Sequence, residues 1–191
     1  MPARNSIKTY LPNSFYHVYN RGVEKHPIFL DDQDFAVFLS YLKDYLSPKN
    51  TLNLQIIMNS PTSTYKEKDK AAKLLKLNNF YGKVDLIAYA LMPNHFHFLI
   101  KQAEAKNMDQ FLNSLATRYT MYFNKKHHRV GTLYQGVYKA VLVENEEQLL
   151  HLSRYIHLNP PKKSKFPNSL PDYLEFRHTT WLNPQPVPTY F

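Results

Sequence analysis

Residues 84–101, which read VDLIAYALMPNHFHFLIK, indicate two β-strands joined by a tight turn. Residues 84–91 form a nearly continuous apolar run, which is typical of a central strand buried on both faces. The sequence Met92-Pro93-Asn94 then provides the turn. From residue 95 to residue 101 the chain alternates, with Phe96, Phe98 and Ile100 on one face and His95, His97 and Leu99 on the other. The stretch therefore predicts a hairpin that presents two histidines on one side of a sheet.

The segments on either side of this hairpin complete a sheet with helices packed on it. The expected elements are a strand at 14–19, a helix from Asp31 or Asp32 to residue 46, a helix from Asn107, a strand at 138–143 and a helix from Asn145 to Asn159. Their order is β-α-(insert)-β-β-α-β-α. This order predicts an α+β fold, most simply a ferredoxin-like antiparallel sheet with packed helices.

Two segments fall outside this repeating order. Residues 47–82 hold too few apolar side chains for a separate core, so we expect a surface insertion, with a short strand at Leu52–Met58 and a Lys-rich helix at Tyr65–Leu77. Five prolines beyond about residue 166 favour an extended tail that wraps the body of the protein. We therefore expect one domain over residues 1–191.

Composition restricts the class of protein and its partners. The chain of 191 residues holds no cysteine, which excludes disulfides, thiolate metal sites and a cysteine nucleophile. It contains no apolar stretch that could span a bilayer, and its first residues lack the apolar segment of a secretory signal, so we expect a cytoplasmic protein. Lysine and arginine together number 24 against 15 acidic residues, giving a net charge of +9. This excess, with 15 tyrosines, favours nucleic acid as the partner.

Two groups of residues could carry out chemistry. His95 and His97 lie two apart on a strand, so both imidazoles face one side and could hold one divalent ion. Tyr155 and Asn159 lie four apart on the last helix, with His151 one turn earlier. Two imidazoles and an amide oxygen could hold Mg²⁺ or Mn²⁺, and Tyr155 could attack a phosphorus atom beside the ion. The alternative is structural, because histidines on strands and tyrosines beside a helix stripe are often only packed.

Four motifs together resemble a known family. These are Met92-Pro93-Asn94-His95-Phe96-His97, the segment from Arg154 to Pro160, the segment from Tyr16 to Gly22, and Gly131-Thr132-Leu133-Tyr134 with Tyr138-Lys139. In their order along the chain they resemble the single-tyrosine transposases of bacterial insertion sequences and their relatives, the REP-associated tyrosine transposases. Both belong to the HUH superfamily of single-strand DNA endonucleases, which is named for a His-hydrophobic-His motif. The resemblance spans roughly residues 12–162.

The resemblance implies roles for individual residues. His95 and His97 match the metal-binding histidines, and Tyr155 matches the nucleophile that joins the 5′ phosphate and leaves a free 3′ hydroxyl. Asn159 matches a further metal ligand that is often Gln in relatives. The implied protein is a metal-dependent endonuclease or transposase that cleaves and rejoins single-stranded or hairpin DNA. The chain departs from its relatives at residues 161–164 and in the length of the 47–82 segment, and the relatives include both monomers and homodimers.

Basic and aromatic residues are candidates for DNA contact. The predicted set is Arg21, Arg118, Lys125, Lys126, Arg129, Tyr134, Lys139 and Arg154, of which Tyr134 would stack on a base. The alternative for the cations is a solvated basic face.

Two other functions are compatible with the sequence. One is a non-catalytic DNA or RNA hairpin-binding protein, because ferredoxin-like sheets with aromatic residues also bind RNA. The other is a zinc hydrolase in which His95 and His97 are joined by a third histidine, His151 or His157. The first needs no metal, and the second predicts tight zinc binding.

Overall fold

The computed structural model describes residues 10–161 and 164–187 of the chain. The strands are β1 (Ser14–Arg21), β2 (Val84–Met92), β3 (His95–Gln102) and β4 (Lys139–Val143). The helices are α1 (Asp32–Leu46), α2 (Thr51–Asn59), α3 (Tyr65–Lys76), α4 (Asn107–Lys126), α5 (Glu146–Leu158) and α6 (Leu170–Tyr173). The first nine residues, on which the prediction of no secretory signal rests, and the sequence departure at Lys162 and Lys163 lie outside the described residues. None of the helices in the described ranges is long and apolar enough to cross a bilayer.

The four strands form one antiparallel sheet in the order β2-β3-β1-β4. Because α1 joins β1 to β2 and α4 joins β3 to β4, this order is that of the ferredoxin-like fold. The predicted α+β, ferredoxin-like antiparallel sheet with packed helices is therefore confirmed.

Helices cover the sheet on both faces, and the alternation of β3 decides which residues each face buries. Phe96, Phe98 and Ile100 join a large core with α1 and α4. Leu99 joins a smaller core with Leu149 and Ile156 of α5 on the opposite face. His95 and His97 share this second face, as the alternation predicts.

Strand β2 lies at the edge of the sheet, not at its centre, so the expectation for residues 84–91 was wrong in position. The strand is nonetheless buried, because the C-terminal segment covers its open edge. Leu91 donates its backbone N–H to Pro167, Ser169 donates to Tyr89 and Asn183 donates to Leu86. A continuous apolar run indicates that a strand is buried on both faces. A covered edge strand and a central strand both meet this condition.

The segment 47–82 consists of α2 and α3 with turns around them. The short strand expected at Leu52–Met58 is wrong, because α2 occupies that stretch and its first turn is capped by Asn50, which accepts from the Asn53 N–H. Helix α3 begins with a capping box between Thr64 and Glu67. Nearly all apolar residues of α2 remain outside the core, so periodicity alone did not distinguish helix from strand.

Candidate active site

The His95 and His97 side chains meet on the sheet face that α5 partly covers. Their ring centroids are 5.1 Å apart, and His97 is almost fully buried. In the antiparallel register of β1 and β3, Arg21 lies opposite His95 and Tyr19 lies opposite His97. Two strands thus place four polar side chains on one small area of the sheet.

The ring nitrogens of both histidines have defined partners. Nδ1 of His95 lies 2.6 Å from Oδ1 of Asn94, whose amide nitrogen in turn donates to the Lys25 carbonyl. His95 therefore carries its proton on Nδ1 in its neutral form, and Nε2 is the ring nitrogen left for any further partner. Burial lowers the pKa of His95, and a hydrogen bond with the Asn159 side chain partly offsets this effect.

His17 on β1 is a third histidine at this site that the sequence analysis missed. Its Nε2 atom lies 2.9 Å from Nδ1 of His97, and the two rings are stacked 5.1 Å apart. Burial lowers the pKa of His97 to about 3 and that of His17 to about 4, so both rings are neutral at pH 7. The available signal was period-two spacing of His17, Tyr19 and Arg21 on the strand, but only the register of β1 against β3 places His17 beside His97.

Helix α5 brings Tyr155 to the histidines. The helix begins at a side-chain cap, where Asn145 accepts from the Gln148 N–H, and its buried residues Leu149 and Ile156 pack on the sheet. The Tyr155 ring lies 5.6 Å from the ring of His97 and 6.0 Å from that of His17, with an exposed fraction of 50%. Asn159 follows at the end of the helix, against His95. The site is assembled within one chain.

A cavity of about 490 Å³ opens beside His95, on the part of the face that α5 leaves uncovered. Its walls are the end of β1, the turn after it, the β2–β3 turn and the loop before β4, which contribute Tyr19, Arg21, Lys25, Asn94, Gln135 and Lys139. Gly22 permits the turn, because a Cβ atom there would lie 2.1 Å from the carbonyl oxygen of His26.

The comparisons with known proteins identify the family of the chain. The sequence profile of the family described as IS200-like transposases matches residues 62–159, slightly more than half of the chain, and this range includes both histidines, Tyr155 and Asn159. The chain belongs to the IS200-like transposase family. No curated protein matches it.

One solved structure agrees with this assignment at the level of the fold. The structure of a REP-associated tyrosine transposase bound to a REP hairpin is 9% identical to this transposase, covers 91% of this chain and 86% of that chain, and has a TM-score of 0.58. That likeness shows a shared fold. The structure of a Deinococcus radiodurans protein described as a transposase is 14% identical, covers 80% of this chain and 95% of that chain, and has a TM-score of 0.42.

The structure divides the predicted DNA-contacting cations into two groups. Arg21 and Lys139 line the cavity of the transposase, and Arg154 is exposed on α5 beside Tyr155. The remaining four lie on or just after α4, which packs on the opposite face of the sheet. Those four are Arg118, Lys125, Lys126 and Arg129.

Two of the four cations on or just after α4 form ion pairs within the protein, which explains their positions without DNA. Arg118 pairs with Asp44 at 2.8 Å and lies 3.7 Å above the Tyr41 ring. Lys126 binds Asp31 at 2.7 Å and the buried Asp34 at 2.8 Å. Sequence spacing could not separate these cations from those of the cavity, because their partners come from a distant helix.

Tyr134 does not stand on the surface as a stacking platform. Its side chain is buried in the large core, where its ring packs edge-on against Phe96 at 6.1 Å. Burial also raises the pKa of its hydroxyl. The predicted base-stacking role is therefore corrected to a core role, and Tyr19 is the aromatic residue that lines the cavity.

The third histidine expected for a zinc hydrolase does not join the pair. His151 is exposed on α5, 3.7 Å from Glu147, and the buried His157 bonds Ser169 through Nε2 at 2.8 Å. Over residues 10–161 and 164–187, no three histidine, cysteine or acidic side chains form a group that could hold a metal ion.

Proposed function

We propose that this transposase is a metal-dependent single-strand DNA endonuclease that cleaves and rejoins hairpin-associated DNA through a 5′-phosphotyrosine intermediate. The observation that carries the proposal is the position of Tyr155, whose ring lies 5.6 Å from that of His97, while the end of the same helix brings the Asn159 side chain against His95. A candidate nucleophile and a candidate ligand set thus share one face of the sheet.

The residues present fit a divalent cation. His95, His97 and Asn159 would hold Mg²⁺ or Mn²⁺, because both imidazoles are neutral and the Nδ1 atom of each already has a hydrogen-bonding partner. Such an ion supplies Lewis acidity that neutralises charge on the scissile phosphate. Imidazole ligands favour Mn²⁺, and availability in cells favours Mg²⁺.

Tyr155 would supply the attacking oxygen. Its phenolate oxygen forms a bond to phosphorus, the bond from phosphorus to the 3′ oxygen breaks, and the released 3′ oxygen takes up a proton. The phenol proton leaves to solvent, which the half-exposed ring permits. Arg21 and Lys139 would hold the flanking phosphates. Because one phosphodiester replaces another, the same residues can run the step in reverse and rejoin DNA.

Hairpin DNA is the proposed substrate class. The net charge of +9 favours a polyanionic partner, and the solved transposase of the same fold is bound to a REP hairpin. The proposed location of this activity is the cytoplasm, as the sequence analysis predicts. The proposed nucleophile and the three proposed metal ligands all come from one chain, so a homodimer is not needed to complete the site.

Adduct formation with labelled hairpin oligonucleotides and Mn²⁺ tests the proposal. The wild type is expected to form a covalent 5′-linked product on a denaturing gel, and Tyr155→Phe is expected to bind the hairpin equally well without forming it. Tyr65→Phe is the matched control, because Tyr65 is exposed on α3. A wild type that binds hairpins but never forms an adduct would instead be the non-catalytic binding protein, and an adduct in Tyr155→Phe would exclude Tyr155 as nucleophile.

A further inference from the structure

The sheet face that carries the histidines is divided into a covered half and an open half. On the covered half, α5 packs over Leu99 and Ala88, and Tyr155 reaches His17 and His97 from there. On the open half lies the 490 Å³ cavity, which includes His95 in its wall. The histidine pair therefore stands at the border between the nucleophile and the cavity.

The cavity has the chemistry of a nucleotide site. Arg21, Lys25 and Lys139 bring three cations to it, and none of the residues that line it is acidic. Its volume lies within the range of about 300–1,000 Å³ that small-molecule sites occupy. Three cations without a counter-charge favour a ligand that carries phosphate.

Two side chains of the cavity can recognise a base. The partly exposed Tyr19 ring has Lys139 Nζ 5.8 Å from its centroid, so a base could stack where cation and ring adjoin. Gln135 accepts from Arg21 Nε through its amide oxygen, and its amide nitrogen has no hydrogen-bond partner among the described residues. That nitrogen can donate to an acceptor on a base edge, while Asn94 is already committed to His95 and Lys25.

The direction of the reaction determines which nucleotide would occupy the cavity. In a displacement at phosphorus the leaving oxygen lies opposite the attacking oxygen. Tyr155 approaches from the covered half, so the leaving 3′ oxygen points to the open half. We propose that the cavity binds the single nucleotide immediately 5′ of the cut, whose 3′ oxygen is the leaving group, with its base stacked on Tyr19. This inference rests on the proposed cleavage by Tyr155.

Cleavage of a sequence pool followed by abasic substitution tests this inference. The full chain is incubated with Mn²⁺ and DNA hairpins flanked by randomised single strands, and sequencing of both products identifies the cut. An intact oligonucleotide of a sequence that the protein cuts is then synthesised with an abasic sugar immediately 5′ or immediately 3′ of the cut position. Loss of one stacked base is expected to slow adduct formation about tenfold at the 5′ position and less than about threefold at the 3′ position.

Variants assign the effect to the cavity. Tyr19→Leu is expected to form the adduct at equal rates with the intact and the 5′-abasic oligonucleotide, because it no longer stacks on the base. Tyr81→Leu, which removes an exposed ring outside the cavity, is expected to discriminate as the wild type does. A larger effect at the 3′ position, or full discrimination by Tyr19→Leu, would overturn the inference while the adduct still forms. Absence of any wild-type adduct would overturn the proposed function, and this inference with it.

Discussion

Nε2 of His17 and Nδ1 of His97 lie 2.9 Å apart across neighbouring strands, and one of them must donate to the other. If His97 donates, its own Nε2 keeps a lone pair on the side of His95. Metal-binding histidines in proteins commonly have such a partner on the second nitrogen, which fixes the tautomer and the ring orientation. His17 therefore positions His97 without belonging to the proposed ligand set.

The first prediction concerns metal affinity. His17→Ala is expected to weaken Mn²⁺ binding about tenfold or more, because the His97 ring loses the partner that orients it. His17→Gln is expected to retain most of the affinity, since its amide can accept the same hydrogen bond. Calorimetric titration of the DNA-free protein measures both.

The matched control for this prediction is His26→Ala, which removes an exposed histidine that faces Glu24. Its Mn²⁺ affinity is expected to equal that of the wild type. If His17→Ala binds Mn²⁺ as tightly as His26→Ala does, His17 does not position the site.

The second prediction concerns the pH dependence of stability in the metal-free protein. The folded chain keeps His17 neutral to about pH 4 and His97 to about pH 3, whereas unfolded histidines titrate near 6.5. Between these values the unfolded state binds more protons, so the free energy of unfolding falls as the pH drops from about 7 towards 4. When the free energy of unfolding is measured with urea at several pH values, its slope against pH is expected to include up to about two protons from this pair.

The double variant His17→Gln with His97→Gln separates this effect from that of the carboxylates. Its slope of unfolding free energy between pH 7 and pH 4.5 is expected to be smaller by up to about two protons, whatever its absolute stability. Equal slopes in the two proteins would show that the histidines are not held neutral by burial.

The candidate site was predictable from the sequence wherever its geometry is local. Alternation along β3 placed His95 and His97 on one face, and four-residue spacing placed Tyr155 and Asn159 on one side of α5. The role of His17 was not predictable, because it depends on the register between strands that are 80 residues apart in the chain. Register is a tertiary property that neither strand carries by itself.

The third prediction tests the correction of Tyr134 from the surface to the core. Its hydroxyl is buried and has no hydrogen-bond partner within the described part of the chain. Tyr134→Phe is therefore expected to leave the unfolding free energy unchanged or to raise it by up to about 1 kcal/mol, because it removes an unpaired polar group. Hairpin affinity is expected to stay the same.

Tyr119→Phe is the contrasting variant for this test. The Tyr119 hydroxyl donates to the Ile28 carbonyl at 2.7 Å in the same core, so its loss is expected to cost about 1 kcal/mol. Thermal unfolding compares the two variants under one set of conditions. A Tyr134→Phe protein that loses hairpin affinity would restore the base-stacking role.

The fourth prediction separates the two groups of cations by the salt dependence of DNA binding. Arg21→Ala removes a cation from the wall of the cavity, so it is expected to weaken hairpin binding and to reduce the slope of log affinity against log salt by about one. Arg118→Ala is expected to leave that slope unchanged, because Asp44 and the Tyr41 ring already engage its guanidinium. It should instead lower the unfolding free energy by about 1 kcal/mol through lost packing and pairing. An equal reduction of the salt slope in both variants would place DNA on both faces of the sheet. An unchanged slope in Arg21→Ala would contradict the assignment of the cavity as the phosphate-binding side.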